Sequence, residues 1–214
     1  YFLCHSAAEV AWHTAELAAR DPADTRPLVA VADQPGRGGA TVILVHTRGR
    51  RHSFARTTAA LDQLGLSIVD ARITPTADGA SLDSYLVLED TGLPIHDPQR
   101  MAGIERLLGQ ALAVPDGAAP TVARRVPRQA RMFTTPTQVS FSDDPDSRRT
   151  ILELVAGDRP GLLSEIGKVL WDQHVELRGA KIMTVGERAE DVFYVTDEGG
   201  GPLEPPRRDA LAQA

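Results

Sequence analysis

Thr150-Ile151-Leu152-Glu153-Leu154-Val155-Ala156-Gly157-Asp158-Arg159-Pro160-Gly161-Leu162-Leu163 reads as a strand, a sharp turn and the start of a helix. Thr150 to Ala156 is the strand-like run, the Pro-Gly pair breaks it, and Leu162, Leu163, Ile166, Val169 and Leu170 then recur at helical spacing. The turn has the chemistry of a ligand loop. An acidic side chain, Asp158, precedes the Pro-Gly pair, and the amides that open a helix follow it. The ammonium and the carboxylate of a free amino acid would thus meet separate partners. The plain alternative for Asp158 is a helix N-cap or turn residue.

Working outward, the strand has a counterpart 109 residues earlier, where Thr41-Val42-Ile43-Leu44-Val45 falls on Thr150-Ile151-Leu152-Glu153-Leu154. The offset persists downstream: Arg50 falls on Arg159, Phe54 on Leu163, Leu61 on Leu170, Leu66 on Val175, Ala71 on Ala180 and Ile73 on Ile182. One register held across strand, turn, helix and strand marks an internal repeat. After Thr76 the second copy is one residue shorter, and Asp83-Ser84-Tyr85-Leu86-Val87 falls on Asp191-Val192-Phe193-Tyr194-Val195.

Each copy reads as strand, helix, strand, strand, helix. In the first, these are Thr41 to Thr47, Ser53 to Leu64, Leu66 to Ile73, Ser81 to Glu89 after a hairpin break at Asp78-Gly79, and a helix opened by Asp97-Pro98. In the second, Val175 to Val185 and Glu190 to Thr196 form the strand pair, and Arg207 to Ala214 begins the last helix. Pro115 to Pro136 reads as a connector to a short strand near Gln138 to Phe141, whose turn cluster Ser142 to Ser147 leads into the second copy. A final strand for the second copy is missing from this pattern. The expected fold is α+β: tandem ferredoxin-like βαββαβ units with helices on one face of antiparallel sheets. The expected division is a helical stub at 1–20, a first module with its connector at 28–141, and a second module at 148–214.

Composition narrows the function. The chain has 214 residues, 42% hydrophobic, with a formal net charge of -6. That balance argues against nucleic acid as a partner, and the basic runs Arg48 to Arg51 and Arg124 to Arg131 read as solvated faces. The single cysteine, Cys4, excludes a disulfide framework and cysteine-rich zinc sites, and fits a reducing cytoplasm. No apolar run approaches the roughly 18 residues that span a bilayer, so no membrane partner is expected. His5 and His13 are expected as ordinary helix-surface histidines.

Asp158 to Leu163, Ala180-Lys181-Ile182 and the run Glu187-Arg188-Ala189-Glu190-Asp191-Val192-Phe193-Tyr194-Val195-Thr196-Asp197 together resemble an ACT domain, a small amino-acid-binding regulatory module. Gly186 to Asp197 is more narrowly similar to the last ACT domain of the bifunctional PII uridylyltransferase/uridylyl-removing enzymes. Leu64-Gly65-Leu66 through Asp70-Ala71-Arg72-Ile73 resembles their first ACT domain. Tyr1 to Ser6 with Ala11-Trp12-His13-Thr14 resembles the helix leaving their HD hydrolase domain. The resemblance implies a piece of a longer enzyme that modifies and demodifies the PII signalling protein. In that enzyme the tandem ACT region senses glutamine, Mg2+ serves the parent, and this stretch is itself non-catalytic with no cofactor.

The implied glutamine site is Asp158 for the ammonium, Gly161 for close backbone approach, and the amides of Gly161, Leu162 and Leu163 for the carboxylate. Arg159 and Pro160 complete the loop, and Arg178, Gly179 and Lys181 on the following strand are further candidates. In the first copy Gly49-Arg50-Arg51-His52-Ser53 replaces Asp158-Arg159-Pro160-Gly161-Leu162, losing carboxylate, proline and glycine together. A structural or interface role is expected there. Two readings stand at this point. One is a glutamine sensor. The other is a tandem ACT module that self-associates without a ligand, or the regulatory part of an amino-acid biosynthetic enzyme.

Overall fold

In a computed structural model that describes residues 5–21, 23–33, 40–48, 53–76, 78–114, 136–144, 147–159, 161–186 and 188–214, the two copies share one sheet. The first copy contributes β1 (Leu28–Asp33), β2 (Thr41–Arg48), α2 (Ser53–Gln63), β3 (Leu66–Pro75), β4 (Ala80–Glu89) and α3 (Pro98–Ala113), preceded by α1 (Ala7–Ala18). The second contributes β5 (Gln138–Asp143), β6 (Thr150–Gly157), α4 (Leu162–Asp172), β7 (Glu176–Val185), β8 (Arg188–Thr196) and α5 (Pro205–Gln213). The strand order is β1-β2-β4-β3-β7-β8-β6-β5.

Local chemistry accounts for the element ends. Gly79 takes φ 79° in the β3–β4 turn, a left-handed conformation that the absence of a Cβ makes cheap. Asp97 caps α3 by accepting from the Gln99 amide, and Pro98 stands in the first turn, where its missing N–H costs nothing. The connector expected at 115–136 lies almost wholly outside the described residues.

Two strands differ from the expected order. β1, which the pattern missed, pairs antiparallel with β2, and β5 pairs antiparallel with β6 in place of closing the first copy. Each half sheet thus receives its outer strand from the N-terminal side, at the edge a trailing strand takes in a βαββαβ unit. A preceding hairpin can supply an antiparallel edge as well as a following strand can.

The halves meet at β3 and β7, with Asp70 opposite Met183, Ala71 opposite Ile182, Arg72 opposite Lys181 and Ile73 opposite Ala180. Under the 109-residue offset, Arg72 corresponds to Lys181, Ala71 to Ala180 and Ile73 to Ile182. The seam is therefore self-complementary about a pseudo-two-fold axis at the Arg72–Lys181 pair, as an isologous interface requires. Above it α2 packs on α4. A Cβ added to Gly167 would lie 2.7 Å from both Cα and Cβ of Ala55, so the two helices touch almost backbone to backbone. Phe54 of α2 and Phe193 of β8 meet edge to face at 6.1 Å, which ties the copies into one apolar cluster.

The opposite sheet face distinguishes the copies. β2 is buried on both sides, and Glu9 of α1 shares a small cleft with Val42, Asp70, Arg72, Ser84 and Leu86. Its counterpart β6 alternates between buried and open positions, with the charged Glu153 standing where the first copy has the buried Leu44. The expectation of surface histidines is corrected here. His5 and His13 are 8% and 1% exposed, with ring centroids 5.2 Å apart in an edge-on arrangement. His13 lies on the buried face of α1, and His5, just ahead of the Ser6 N-cap, folds back against it.

Candidate functional site

The loop after β6 opens α4 without a side-chain cap. Gly161 is the N-cap residue with φ 83°, and no side chain bonds the first amides from that position. Leu162 N–H reaches back to the Arg159 carbonyl at 3.2 Å, and the Ser164 hydroxyl donates to the Gly161 carbonyl at 3.0 Å. The helix start thus offers amides and a positive dipole end to an anionic group. A non-glycine residue at 161 would carry its Cβ into left-handed geometry, costing about 1–2 kcal/mol.

A pocket of about 130 Å³ lies against this loop. Asp158, Arg159, Gly161, Leu162, Leu163 and Ser164 of the second copy form one wall, and Thr58, Asp62, Leu66, Ser67 and Ile68 of the first form the other. It therefore sits on the seam. Thr58, Asp62 and Ser67 were not among the sequence candidates. Their signal was polarity in otherwise apolar positions: the offset sets Thr58 against Gly167 and Asp62 against Trp171, and Thr58 and Asp62 are 2% and 7% exposed.

The pocket's charge is acidic. The Asp158 carboxyl is open toward solvent, while packing on its other side takes it out of water and raises its pKa, offset in part by a hydrogen bond from the Arg159 backbone. Arg159 does not neutralise it. Its guanidinium forks onto Glu165 at 3.0 and 2.6 Å, and that pairing raises the arginine's own pKa. Asp158 favours a cation beside it, while the α4 amides favour an anion.

The structure brings Asp158, Arg159, Gly161, Leu162 and Leu163 together at this pocket, and Pro160 lies outside the described residues. Arg178, Gly179 and Lys181 are placed elsewhere. α4 carries the chain away from the loop, so β7 starts at the far end of the helix. Arg178 lines a second pocket of about 170 Å³ with Thr47, Ser53, Phe54 and Ser81, and its Nε donates to Thr196 Oγ1 at 2.9 Å. Gly179 packs beside the Ile73 carbonyl and the Tyr194 ring, and Lys181 stands on the pseudo-axis opposite Arg72. The second pocket is the pseudo-symmetric partner of the first. Of the first copy's altered loop, Ser53 lines it, and 49–52 lie outside the described residues.

Among the described residues no group of three histidine, cysteine, aspartate or glutamate side chains is placed to hold a metal ion, and no helix is long and apolar enough to cross a membrane.

No family model matches the sequence. Over 210 residues, 97% of this chain, it is 43% identical to the bifunctional uridylyltransferase/uridylyl-removing enzymes of Stutzerimonas stutzeri (strain A1501) and Pseudomonas entomophila (strain L48). It is 42% identical to that of Pseudomonas syringae pv. syringae (strain B728a). The chain spans 23% of the length of these relatives. A solved aspartate kinase from Synechocystis aligns with 82% of the chain, covering 26% of that protein, at 14% identity and a TM-score of 0.45. With two ferredoxin-like halves, the second of which carries the sequence Asp-Arg-Pro-Gly, the chain corresponds to the C-terminal, tandem-ACT region of the bifunctional uridylyltransferase/uridylyl-removing enzymes.

Proposed function

We propose that this chain is the glutamine-sensing region of a PII-protein uridylyltransferase/uridylyl-removing enzyme, and that glutamine is read at the Asp158 pocket. The observation that carries the reading is the pocket's composition. One copy supplies a carboxylate and an uncapped helix start at fixed separation, and the other supplies Thr58, Asp62 and Ser67 across the seam. Asp158 receives the α-ammonium, the amides of Leu163 and Ser164 receive the α-carboxylate, and the polar groups of the first copy face the side-chain amide.

A ligand that touches both copies favours the arrangement in which the seam is closed. Differential affinity of this kind is what couples a sensor to active sites elsewhere in a longer chain. In this reading the parent acts in the cytoplasm, uses Mg2+ for nucleotidyl transfer, and adjusts the uridylylation of PII to the glutamine supply. This region itself contributes recognition and no catalytic group.

Calorimetry with glutamine and a panel of other amino acids tests the reading. The expected result is saturable binding selective for glutamine. Asp158→Ala removes one charge-assisted contact of about 1.5–3 kcal/mol and should weaken binding by about 10- to 150-fold. A folded chain that binds no amino acid supports the assembly-module alternative and removes the sensor reading.

A further inference from the structure

Both copies carry a β-bulge on the strand that forms the seam. Pairing with the neighbouring strand shifts register between Ile68 and Asp70 on β3, and between Leu177 and Gly179 on β7. The residues left out of the ladder, Val69 and Arg178, are counterparts under the 109-residue offset. A bulge re-aims the side chain it carries. Arg178 lines the second pocket, whereas Val69 takes no part in lining the first. We propose that the second pocket is a binding site for a small oxyanion, a carboxylate or phosphate with no ammonium group beside it, held by the Arg178 guanidinium. The proposal does not depend on glutamine binding at the Asp158 pocket.

The guanidinium is anchored at one end. Arg178 Nε donates to Thr196 Oγ1 at 2.9 Å, and Thr196 is 2% exposed. No other side-chain hydrogen bond or ion pair holds Arg178 among the described residues, so its two terminal nitrogens are left for the pocket, a planar pair of donors that matches carboxylate or phosphate. Thr47 and Ser53 bring hydroxyls to the same cavity, Thr47 from a buried position at the end of β2. The Thr76 and Ser81 hydroxyls border it too but donate to Asp78 and Asp83. One water occupies about 10–15 Å³ of such space, so the cavity of about 170 Å³ admits a molecule of several heavy atoms.

The repeat shows how the two pockets diverge. The offset sets Thr47 against Ala156, Ser53 against Leu162 and Arg178 against Val69, so the second pocket gains donors where the other half of the repeat has apolar side chains. It also loses acceptors: the sequence has Gly49 at the position of Asp158 and Trp171 at that of Asp62. Glu176, the counterpart of Ser67, borders the second pocket and is engaged in an interaction of its own. The walls again come from both copies, with Thr47, Ser53 and Ser81 on one side and Gly167, Glu176 and Arg178 on the other. One seam would thus read two chemical classes, an ammonium-bearing ligand at the Asp158 loop and an oxyanion at the Arg178 bulge.

The test is a nuclear magnetic resonance titration of the isotope-labelled whole chain with succinate and, separately, with inorganic phosphate, at an ionic strength held near about 0.15 M so that screening stays constant. The Thr47, Ser53 and Ser81 amides and the Arg178 Nε–H are expected to shift saturably with at least one probe, and the probe that binds more tightly identifies the oxyanion as planar or tetrahedral. Arg178→Gln should weaken that binding by at least about tenfold, and Arg178→Lys by less. Lys181→Gln, which removes an exposed cation of the same strand outside the pocket, should leave it unchanged. No saturable shift with either probe, affinity unchanged in Arg178→Gln, or an equal loss in Lys181→Gln overturns the proposal. So does glutamine shifting these same resonances, which would make the second pocket an amino-acid site. If Arg178→Gln fails to fold, the wild-type Arg178 Nε–H decides: a saturable shift supports the proposal and an unmoved resonance overturns it. The glutamine reading is decided separately, at Leu163 and Ser164.

Discussion

Gly167→Ala is the sharpest perturbation of the seam, because two effects of opposite sign meet there. In a helix interior, replacing glycine by alanine stabilises by about 1 kcal/mol. Here the new Cβ would lie 2.7 Å from the Cα and Cβ of Ala55 and 3.2 Å from its nitrogen. Comfortable contact between carbons begins near 3.5 Å. One of the offended atoms is backbone, so rotamer adjustment cannot relieve the clash and α2 must move away from α4. Forced overpacking of this kind costs about 1–3 kcal/mol, which exceeds the propensity gain. The net expectation is a loss of about 1 kcal/mol, a fall in Tm of about 2–4 °C for a chain of this size. Glutamine affinity should fall with it, since Thr58 and Asp62 on α2 and Leu163 and Ser164 on α4 line one pocket. Thermal unfolding by circular dichroism and calorimetric titration read the two quantities. Adding Ala55→Gly should recover part of both, as contact coupling requires. A Gly167→Ala protein with a raised Tm and unchanged binding would show that the helices are not in contact and would refute the seam geometry.

Three further outcomes follow from the same contacts. Asp83 and Asp191 are both raised from 3.8 to about 7 in the folded chain, so the native state holds protons that the unfolded state has lost, and their contribution to stability falls as pH rises from about 4 to about 7. Between about pH 5.5 and 8.5 each costs about 2 kcal/mol; His13, pulled down to about 4 mainly by burial, works in the opposite direction below 6.5. Urea unfolding of each Asp→Asn variant against wild type isolates the carboxylates, and a variant whose advantage does not grow with pH contradicts the assignment. Phe54→Ala should cost about 3–5 kcal/mol and lower the stability of both copies in one transition, because its ring rests on Phe193 of the other copy; separate melting of the halves would contradict the shared cluster. Gly161→Ala should weaken glutamine binding more than it lowers Tm, because it distorts the helix start at the pocket; equal binding to wild type would remove that helix start from the site.

The repeat made most of the fold legible, since a common register for Leu61 and Leu170, and for Ile73 and Ile182, demands two similar modules. It did not reveal how they join. Ala71, Ile73, Ala180 and Ile182 alternate as any half-buried strand does, and a central strand shared by two modules leaves the same trace as one within a module. β1 escaped because Leu28–Asp33 is short and abuts a run containing Pro35 and three glycines at 36, 38 and 39. At the site, the Asp158 loop was readable because its turn chemistry is local. Thr58 and Asp62 on α2 and Ser67 on β3 were not, because they come to the pocket through packing between the copies. Arg178, a candidate by its nearness in sequence, lines the second pocket, because the length of α4 stands between it and the loop.

Amide chemical-shift mapping of the labelled chain during titration with glutamine tests the central claim most directly. The account predicts saturable shifts at Leu163 and Ser164 of the second copy together with Ser67 and Asp62 of the first, and little change at Thr47, Ser53 and Arg178 around the second pocket. Shifts centred on the second pocket, or confined to one copy, would contradict it.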